Sequence, residues 1–124
     1  MRLYDQKIVD LLNDRCMGEI IHRVALGLYI FDLGFGGVET FSNEEKVLFQ
    51  INESRFMWNK SPIDAPVWLL ISQVIDKFEL RDPTILRMRL RSGDIVDFYT
   101  VEGMYESQVI QFPNEGDAFV MEIF

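Results

Sequence analysis

Three apolar side chains alternate strictly with three arginines over residues 86–91. Because successive side chains of a β-strand point to opposite faces of the sheet, this period of two predicts a strand with one apolar face and one basic face. The segment opens a predicted hairpin over residues 84–101. With a loop at 92–94, the predicted cross-strand pairs are Leu90 with Val96, Met88 with Phe98, and Arg89 with Asp97.

Short β-branched and aromatic runs, separated by glycines, predict further strands through most of the chain. These predicted strands cover residues 19–26, 28–35, 38–41, 46–51, 104–112 and 118–124, with a turn at 113–116. A helix is predicted over residues 4–16, where apolar residues recur at helical spacing and Gly18 follows the last of them. The prediction is an α+β fold, a mostly antiparallel sheet of about seven or eight strands with an N-terminal helix and one short central helix.

The segment 67–80 fits two patterns, because its apolar residues suit both a helical stripe and an alternating strand. An internal similarity favours one solution: residues 18–26 align with 72–80 at an offset of 54, and residues 28–41 align with 85–98 at an offset of 57. Each half is then a short helix followed by strands, which places a helix near 64–71 and a strand near 73–80. We predict a single domain over 1–124 with an internal repeat of 5–58 and 62–124. A chance alignment of alternating apolar residues is the open alternative.

A chain of 124 residues, 48% of them apolar, can form one core without staples. Its single Cys excludes an internal disulfide, and one Cys with one His falls short of a zinc site, so no metal and no cofactor is predicted. The N-terminus lacks the apolar stretch of a secretory signal. The longest nearly uncharged stretch, 24–31, is far shorter than the ~20 residues that span a bilayer, so we expect a cytoplasmic protein without membrane contact.

The net charge of −8 is unevenly distributed. Through Arg91 the chain has 12 basic and 13 acidic residues, whereas residues 92–124 contain seven acids and no Lys or Arg. Such a segment predicts a surface that attracts an electropositive protein and repels nucleic acid. A solvated sheet face, partly neutralised by the arginines of 86–91, is the plainer alternative. The predicted partner-binding residues are the seven acids and two tyrosines among them: Asp94, Asp97, Tyr99, Glu102, Tyr105, Glu106, Glu115, Asp117 and Glu122.

Candidate catalytic groups are few, and their pattern does not predict an enzyme. His22 lacks a nucleophile and an orienting acid in any legible order. Cys16, at helical spacing, is more typical of a core thiol than of a nucleophile. The glycines of 34–37 lack the Lys and hydroxyl residue of a phosphate loop and are more typical of a turn. Trp58 fits either an exposed binding aromatic or a cover for the core edge.

Small size, an acidic last quarter and an α+β pattern together resemble the immunity proteins of bacterial polymorphic toxin and contact-dependent growth inhibition systems. The resemblance covers the whole chain and is to a class of proteins, without a diagnostic motif. It implies a protein that binds and neutralises a cognate toxin domain, often a basic nuclease, by stoichiometric inhibition without turnover. The acids over 94–122 would mimic or displace the charge of a nucleic-acid substrate, and Tyr99 or Tyr105 would anchor the contact.

Two other hypotheses stay open. One is a small β-rich ligand-binding or enzymatic domain with an apolar pocket, which would have His22 or Tyr29 at its mouth. The other is a structural or oligomerisation domain whose final strand, 118–124, pairs with its copy in a second chain, so that a monomer or weak homodimer is expected.

Overall fold

The computed structural model describes residues 3–60, 65–101, 107–115 and 118–124, and the side chains of residues 114–120 are outside this description. The described elements, in chain order, are α1 (Gln6–Cys16), β1 (Ile21–Leu26), β2 (Phe31–Phe35), β3 (Thr40–Asn43), β4 (Lys46–Ile51), β5 (Ser54–Trp58), a short 3₁₀ helix (Val67–Leu70), β6 (Ile75–Asp82), β7 (Ile85–Leu90), β8 (Ile95–Tyr99), β9 (Gln108–Glu115) and β10 (Ala118–Ile123).

The strands form two five-stranded antiparallel sheets. The first sheet has the order β1-β2-β3-β9-β10 and the second sheet has the order β5-β4-β8-β7-β6. The predicted α+β class is confirmed, but the ten strands of the described residues exceed the predicted seven or eight. One strand absent from the prediction is β5, which follows a tight turn at Asn52 and Glu53. Both residues have positive φ, of 51° and 70°, in a turn that lacks the usual glycine signal.

The core lies between the two sheets and is dominated by phenylalanines. Rings from the first sheet contact rings from the second at centroid distances of 5.2 Å (Phe31 and Phe49), 6.2 Å (Phe35 and Phe78) and 4.7 Å (Phe41 and Phe98). All six side chains are at most 2% exposed. Burial of such large apolar side chains is the main stabilising contribution in a domain of this kind.

Helix α1 begins at an N-cap and packs against the edge strand β6. The Asp5 carboxylate accepts a hydrogen bond of 3.0 Å from the Ile8 N–H, which satisfies one free donor of the first turn. Further along the helix, the Asn13 amide donates to the Phe78 carbonyl at 3.0 Å and accepts from the Phe78 N–H at 2.7 Å. Because an edge strand exposes unpaired backbone groups, this amide both attaches the helix and covers part of that edge.

The two halves of the chain share one strand connectivity. Strands β1, β2 and β3 lie in the first sheet, and the chain then continues into β4 and β5 of the second. Strands β6, β7 and β8 lie in the second sheet, and the chain continues into β9 and β10 of the first. Each sheet therefore takes three strands from one half and two from the other.

Hydrogen bonds at the junction of β1 and β6 repeat with an offset of 54. The Gly18 N–H donates to the Ile75 carbonyl at 2.9 Å, and the Ser72 N–H donates to the Ile21 carbonyl at 2.7 Å. Gly18 and Ser72 both have positive φ, of 82° and 77°. The β1–β2 and β6–β7 pairings also have bulges at matching places, just after Ile21 and just after Ile75. These features relate the two segments locally, and a common origin of the halves stays a prediction.

The hairpin of β7 and β8 corrects the predicted register. The Leu90 N–H donates to the Asp94 carbonyl at 3.0 Å, so the loop is the three residues 91–93, with Gly93 at a φ of 96°. This turn, with its glycine in the left-handed region, shifts the pairing by two residues. The observed pairs are Met88 with Val96, Leu86 with Phe98, and Arg87 with Asp97. The shift keeps every side chain on its predicted face, because the strand period is two.

The segment 67–80 has the structure that the internal similarity favours, a short helix followed by a strand. A 3₁₀ helix at Val67–Leu70 lies within the helix predicted near 64–71, of which residues 61–64 are outside the description. Strand β6 then begins at Ile75, two residues after the predicted start. Strand β9 runs to Glu115, through part of the predicted turn at 113–116, and residues 102–106 before it are outside the description.

Candidate partner-binding surface

Asp94 is a structural carboxylate at the end of the second sheet. It is 8% exposed, and its oxygens accept hydrogen bonds from the Asn52 N–H at 3.0 Å and from the Gln73 amide at 2.8 Å. These bonds join the β7–β8 loop to the β4–β5 turn and to the segment before β6. Both oxygens thus bind inside the protein, which leaves little of this carboxylate for a partner.

Asp97 lies in the middle of the outer face of the second sheet. Its carboxylate accepts two parallel hydrogen bonds from Arg87, of 2.8 Å from Nε and 2.9 Å from a terminal nitrogen. The hydrogen bond to Asp97 raises the pKa of Arg87, against a smaller opposing effect of burial. A bidentate pair of this kind is geometrically specific, and with Asp97 only 8% exposed it neutralises the charge locally.

Tyr99 is half-buried on the same face. The Lys46 ammonium lies over its ring, 4.1 Å from the centroid, which is a cation–π contact. Burial raises the pKa of Tyr99, and the neighbouring charge of Asp97 raises it further. Its hydroxyl is therefore protonated at neutral pH and available as a hydrogen-bond donor.

The remaining predicted residues lie in the last quarter of the chain. Glu102, Tyr105, Glu106 and Asp117 are outside the described residues, as is the side chain of Glu115 in β9. Glu122 is half-buried on β10, opposite Ile110. The described members of the predicted set thus lie on two different sheets, Asp94, Asp97 and Tyr99 on the second and Glu122 on the first.

Two exposed acids from the first half of the chain lie next to β9. The Glu39 N–H donates to the Gln111 carbonyl at 2.7 Å, and the Glu39 carboxylate accepts from the Gln111 amide at 3.0 Å. The Glu44 N–H donates to the Ser107 carbonyl at 2.7 Å. Counting charges along the sequence missed these acids, because only the pairing of β3 with β9 brings them to the acidic last quarter. We call Glu39 and Glu44 the acidic margin, whereas Glu122, opposite the core residue Ile110, lies on the other face of the sheet.

An apolar row lies on the outer face of the first sheet beside this margin. Met121 of β10 is opposite Gln111, and Ile123 is opposite Val109. Met121 is 43% exposed, and Val109 and Ile123 are half-buried. The apolar row (Val109, Met121 and Ile123) contacts the acidic margin through Gln111, which bonds Glu39. Apolar contact area with charges around it is typical of protein interfaces.

The other chemically interesting residues have structural or exposed positions. Cys16 is buried in α1, and burial raises the pKa of its thiol to about 12, with an added contribution from Glu19 and an opposing one from Arg15. It is thus a poor nucleophile at neutral pH. Trp58 is 2% exposed and packs 6.1 Å from Phe31, so of its two predicted roles it covers the core. His22 and Tyr29 are exposed, Tyr29 at 64%.

No protein-family model, curated protein or solved structure matches this chain. Within the described residues, no three His, Cys, Asp or Glu side chains are grouped so that they could hold a metal ion. None of the helices in the same part of the chain has the length and apolar character needed to cross a membrane.

Proposed function

We propose that this chain is an immunity protein that binds a cognate toxin domain with a basic surface, such as a nuclease, and neutralises it by stoichiometric inhibition. On this proposal it acts in the cytoplasm, as a monomer or weak homodimer, and performs no turnover. The observation that carries the proposal is the apolar row beside the acidic margin on the first sheet.

The row supplies contact area, and the margin supplies charge. An exposed methionine is flexible and adapts to the shape of a partner, so Met121 suits a central contact. Carboxylates around such a contact speed the encounter with a basic protein and reject acidic ones. No Lys or Arg occurs in the segment 92–124, so β9 and β10 contribute no basic side chain that would offset this charge.

The edge position of β10 supports binding of a protein rather than of a small molecule. Strand β10 pairs only with β9 among the described strands, so one side of its backbone lies at the end of the first sheet. An extended segment of a partner can add to such an edge through main-chain hydrogen bonds.

The test measures binding to the inactivated toxin domain encoded beside the gene for this chain. The variant Glu39→Gln with Glu44→Gln removes two exposed charges from the margin. We expect association at low salt to slow by about 3- to 10-fold and its salt dependence to flatten, with little change in dissociation. Met121→Ser removes the apolar contact, and we expect dissociation to accelerate by about 10-fold. Biolayer interferometry at two salt concentrations measures both rates.

The matched control is Glu53→Gln with Asp76→Asn, which removes two exposed acids from elsewhere on the molecule. This control lowers the total charge equally and is expected to leave both rates within about 2-fold. Equal rates for the margin variant and the control would exclude the acidic margin from the interface. Absence of any complex with the wild-type chain would overturn the proposal itself.

A further inference from the structure

A shallow cleft lies on the outer face of the second sheet, away from the acidic margin. Its volume is about 300 Å³, and side chains from all five strands line it. That volume is at the small end of the range for small-molecule sites in proteins. The cleft does not include His22 or Tyr29, the residues expected at the mouth of a pocket from the sequence.

The floor of the cleft is apolar although it faces solvent. Leu48 of β4, Ile85 of β7 and Ile95 of β8 line it, and all three are half-buried. The cross-strand pairs of this sheet place them on the face opposite the phenylalanine core. A flat apolar body could therefore lie on this strip and remove it from water.

Two arginines of the cleft are exposed and have no partner for their guanidinium groups among the described residues. Arg87 and Arg89 are occupied, by Asp97 and Glu79 respectively. Arg55 of β5 and Arg81 of β6 also line the cleft, and within the described residues neither forms an ion pair or a side-chain hydrogen bond. A guanidinium binds carboxylate or phosphate oxygens through two parallel hydrogen bonds, so these two side chains suit an anionic group.

The charge of this face runs against the charge of the whole molecule. Six of the chain's 12 basic residues lie on this face, against three acids, although the whole chain has a net charge of −8. The acids are Glu79, Asp82 and Asp97, and the basic residues are Lys46, Arg55, Lys77, Arg81, Arg87 and Arg89. Such a local excess raises the concentration of anions near the cleft. The same excess repels the basic partner proposed above, so the two surfaces have different ligands.

We propose that this cleft binds a small organic anion with a flat apolar body, which Leu48, Ile85 and Ile95 contact while Arg55 or Arg81 holds its carboxylate or phosphate. Tyr99 also lines the cleft, and on this proposal its hydroxyl, protonated at neutral pH, donates a further hydrogen bond to the anion. This site is independent of the toxin-binding proposal and stands or fails separately.

The test uses phenyl phosphate as the probe, titrated into the ¹⁵N-labelled full chain. Amide shifts of Leu48 and Ile95 in NMR spectra report on the cleft. We expect a Kd of about 1 mM, given the small size of the probe. Inorganic phosphate lacks the apolar body and benzyl alcohol lacks the charge, and we expect each to bind at least about 10-fold more weakly.

The variant Arg55→Gln with Arg81→Gln is expected to weaken phenyl phosphate binding by about 10-fold or more. Its control, Lys7→Gln with Arg91→Gln, removes two exposed charges outside the cleft and should change the Kd by no more than about 2-fold. Far-UV circular dichroism checks that both variants are folded, and the two single variants replace the double one if it is not. Equal binding by wild type and the cleft variant, shifts confined to other residues, or equal binding of inorganic phosphate would each overturn the proposal.

Discussion

The outer faces of the two sheets are built on strands of the same connectivity, yet their chemistry is opposite. The first sheet shows neutral and apolar side chains on β9 and β10, such as Val109 and Met121. The second sheet shows arginines at Arg55, Arg81 and Arg87. Inward residues and backbone pairing determine the fold in both halves, whereas the outward positions are free to differ. The comparison teaches that each sheet carries its own outer chemistry on a shared framework.

The largest effect is expected where the halves are most alike. Phe41 and Phe98, which the offset of 57 aligns, contact each other across the two sheets with ring centroids 4.7 Å apart. Each substitution by Ala, Phe41→Ala or Phe98→Ala, should lower the free energy of unfolding by about 3–5 kcal/mol in urea titrations. The double variant should lose less than the sum, since the two rings share one contact. If the losses of unfolding free energy in the two single variants differ by more than about 2 kcal/mol, the two positions are not equivalent.

A smaller effect is expected where the halves differ, at α1. Asn13 holds this helix to both backbone groups of Phe78, and Val67 occupies the aligned position in the 3₁₀ helix of the second half. Asn13→Ala leaves the Phe78 N–H and carbonyl without their partner and should lower the free energy of unfolding by about 1–3 kcal/mol. Asn59→Ala, at an exposed position, is the control and should cost less than about 0.5 kcal/mol. Thermal unfolding measures both, and an equal cost would mean that the Asn13 bonds do not hold the helix.

The smallest effect concerns the basic face alone. Glu79 is partly buried, and burial raises the pKa of its carboxyl. Hydrogen bonds from Arg89, at 2.6 Å, and from Lys77 together lower this pKa by more than burial raises it, so it lies below its usual value. A carboxylate with a lowered pKa stabilises the fold above its unfolded pKa of about 4.3, and this contribution is lost as the pH falls through the folded pKa. Glu79→Gln should therefore lower the free energy of unfolding by less than about 1 kcal/mol at pH 7 and by about zero near pH 2.

Urea unfolding at several pH values measures this difference. Glu53→Gln, at an exposed turn, is the control and should show little change with pH. If the loss of unfolding free energy on Glu79→Gln stays constant down to pH 2, the ion pairs of Glu79 with Lys77 and Arg89 do not contribute to stability.

Local patterns predicted the strands better than their partners. The alternation over 86–91 correctly predicted an apolar and a basic face, but Asp97 pairs with Arg87 instead of Arg89, because the loop geometry at Gly93 is not visible in that alternation. The division into two sheets depends on pairings such as β3 with β9, between residues about 70 positions apart, which no local pattern contains.

The acids of the candidate surface were not predicted from the sequence, since Glu39 and Glu44 lie outside the predicted set. The acidic last quarter was visible by counting, but three facts required the folded structure. Asp94 binds Asn52 and Gln73 internally, and Glu39 joins the region through β9. The cleft on the second sheet was not predicted, because its arginines come from strands that are adjacent only after folding.

The first half of the chain contributes β4 and β5 to the second sheet, and the second half contributes β9 and β10 to the first sheet, so each half depends on the other to fold. Neither half can complete a sheet by itself: a fragment ending after Trp58 keeps the β4–β5 hairpin but lacks β8, the other neighbour of β4. A fragment beginning near Pro66 keeps the β9–β10 hairpin but lacks β3, the other neighbour of β9. We expect the two fragments to be unstructured separately and to assemble when mixed. The intact chain should accordingly unfold in one cooperative step, without an intermediate in which a single half persists.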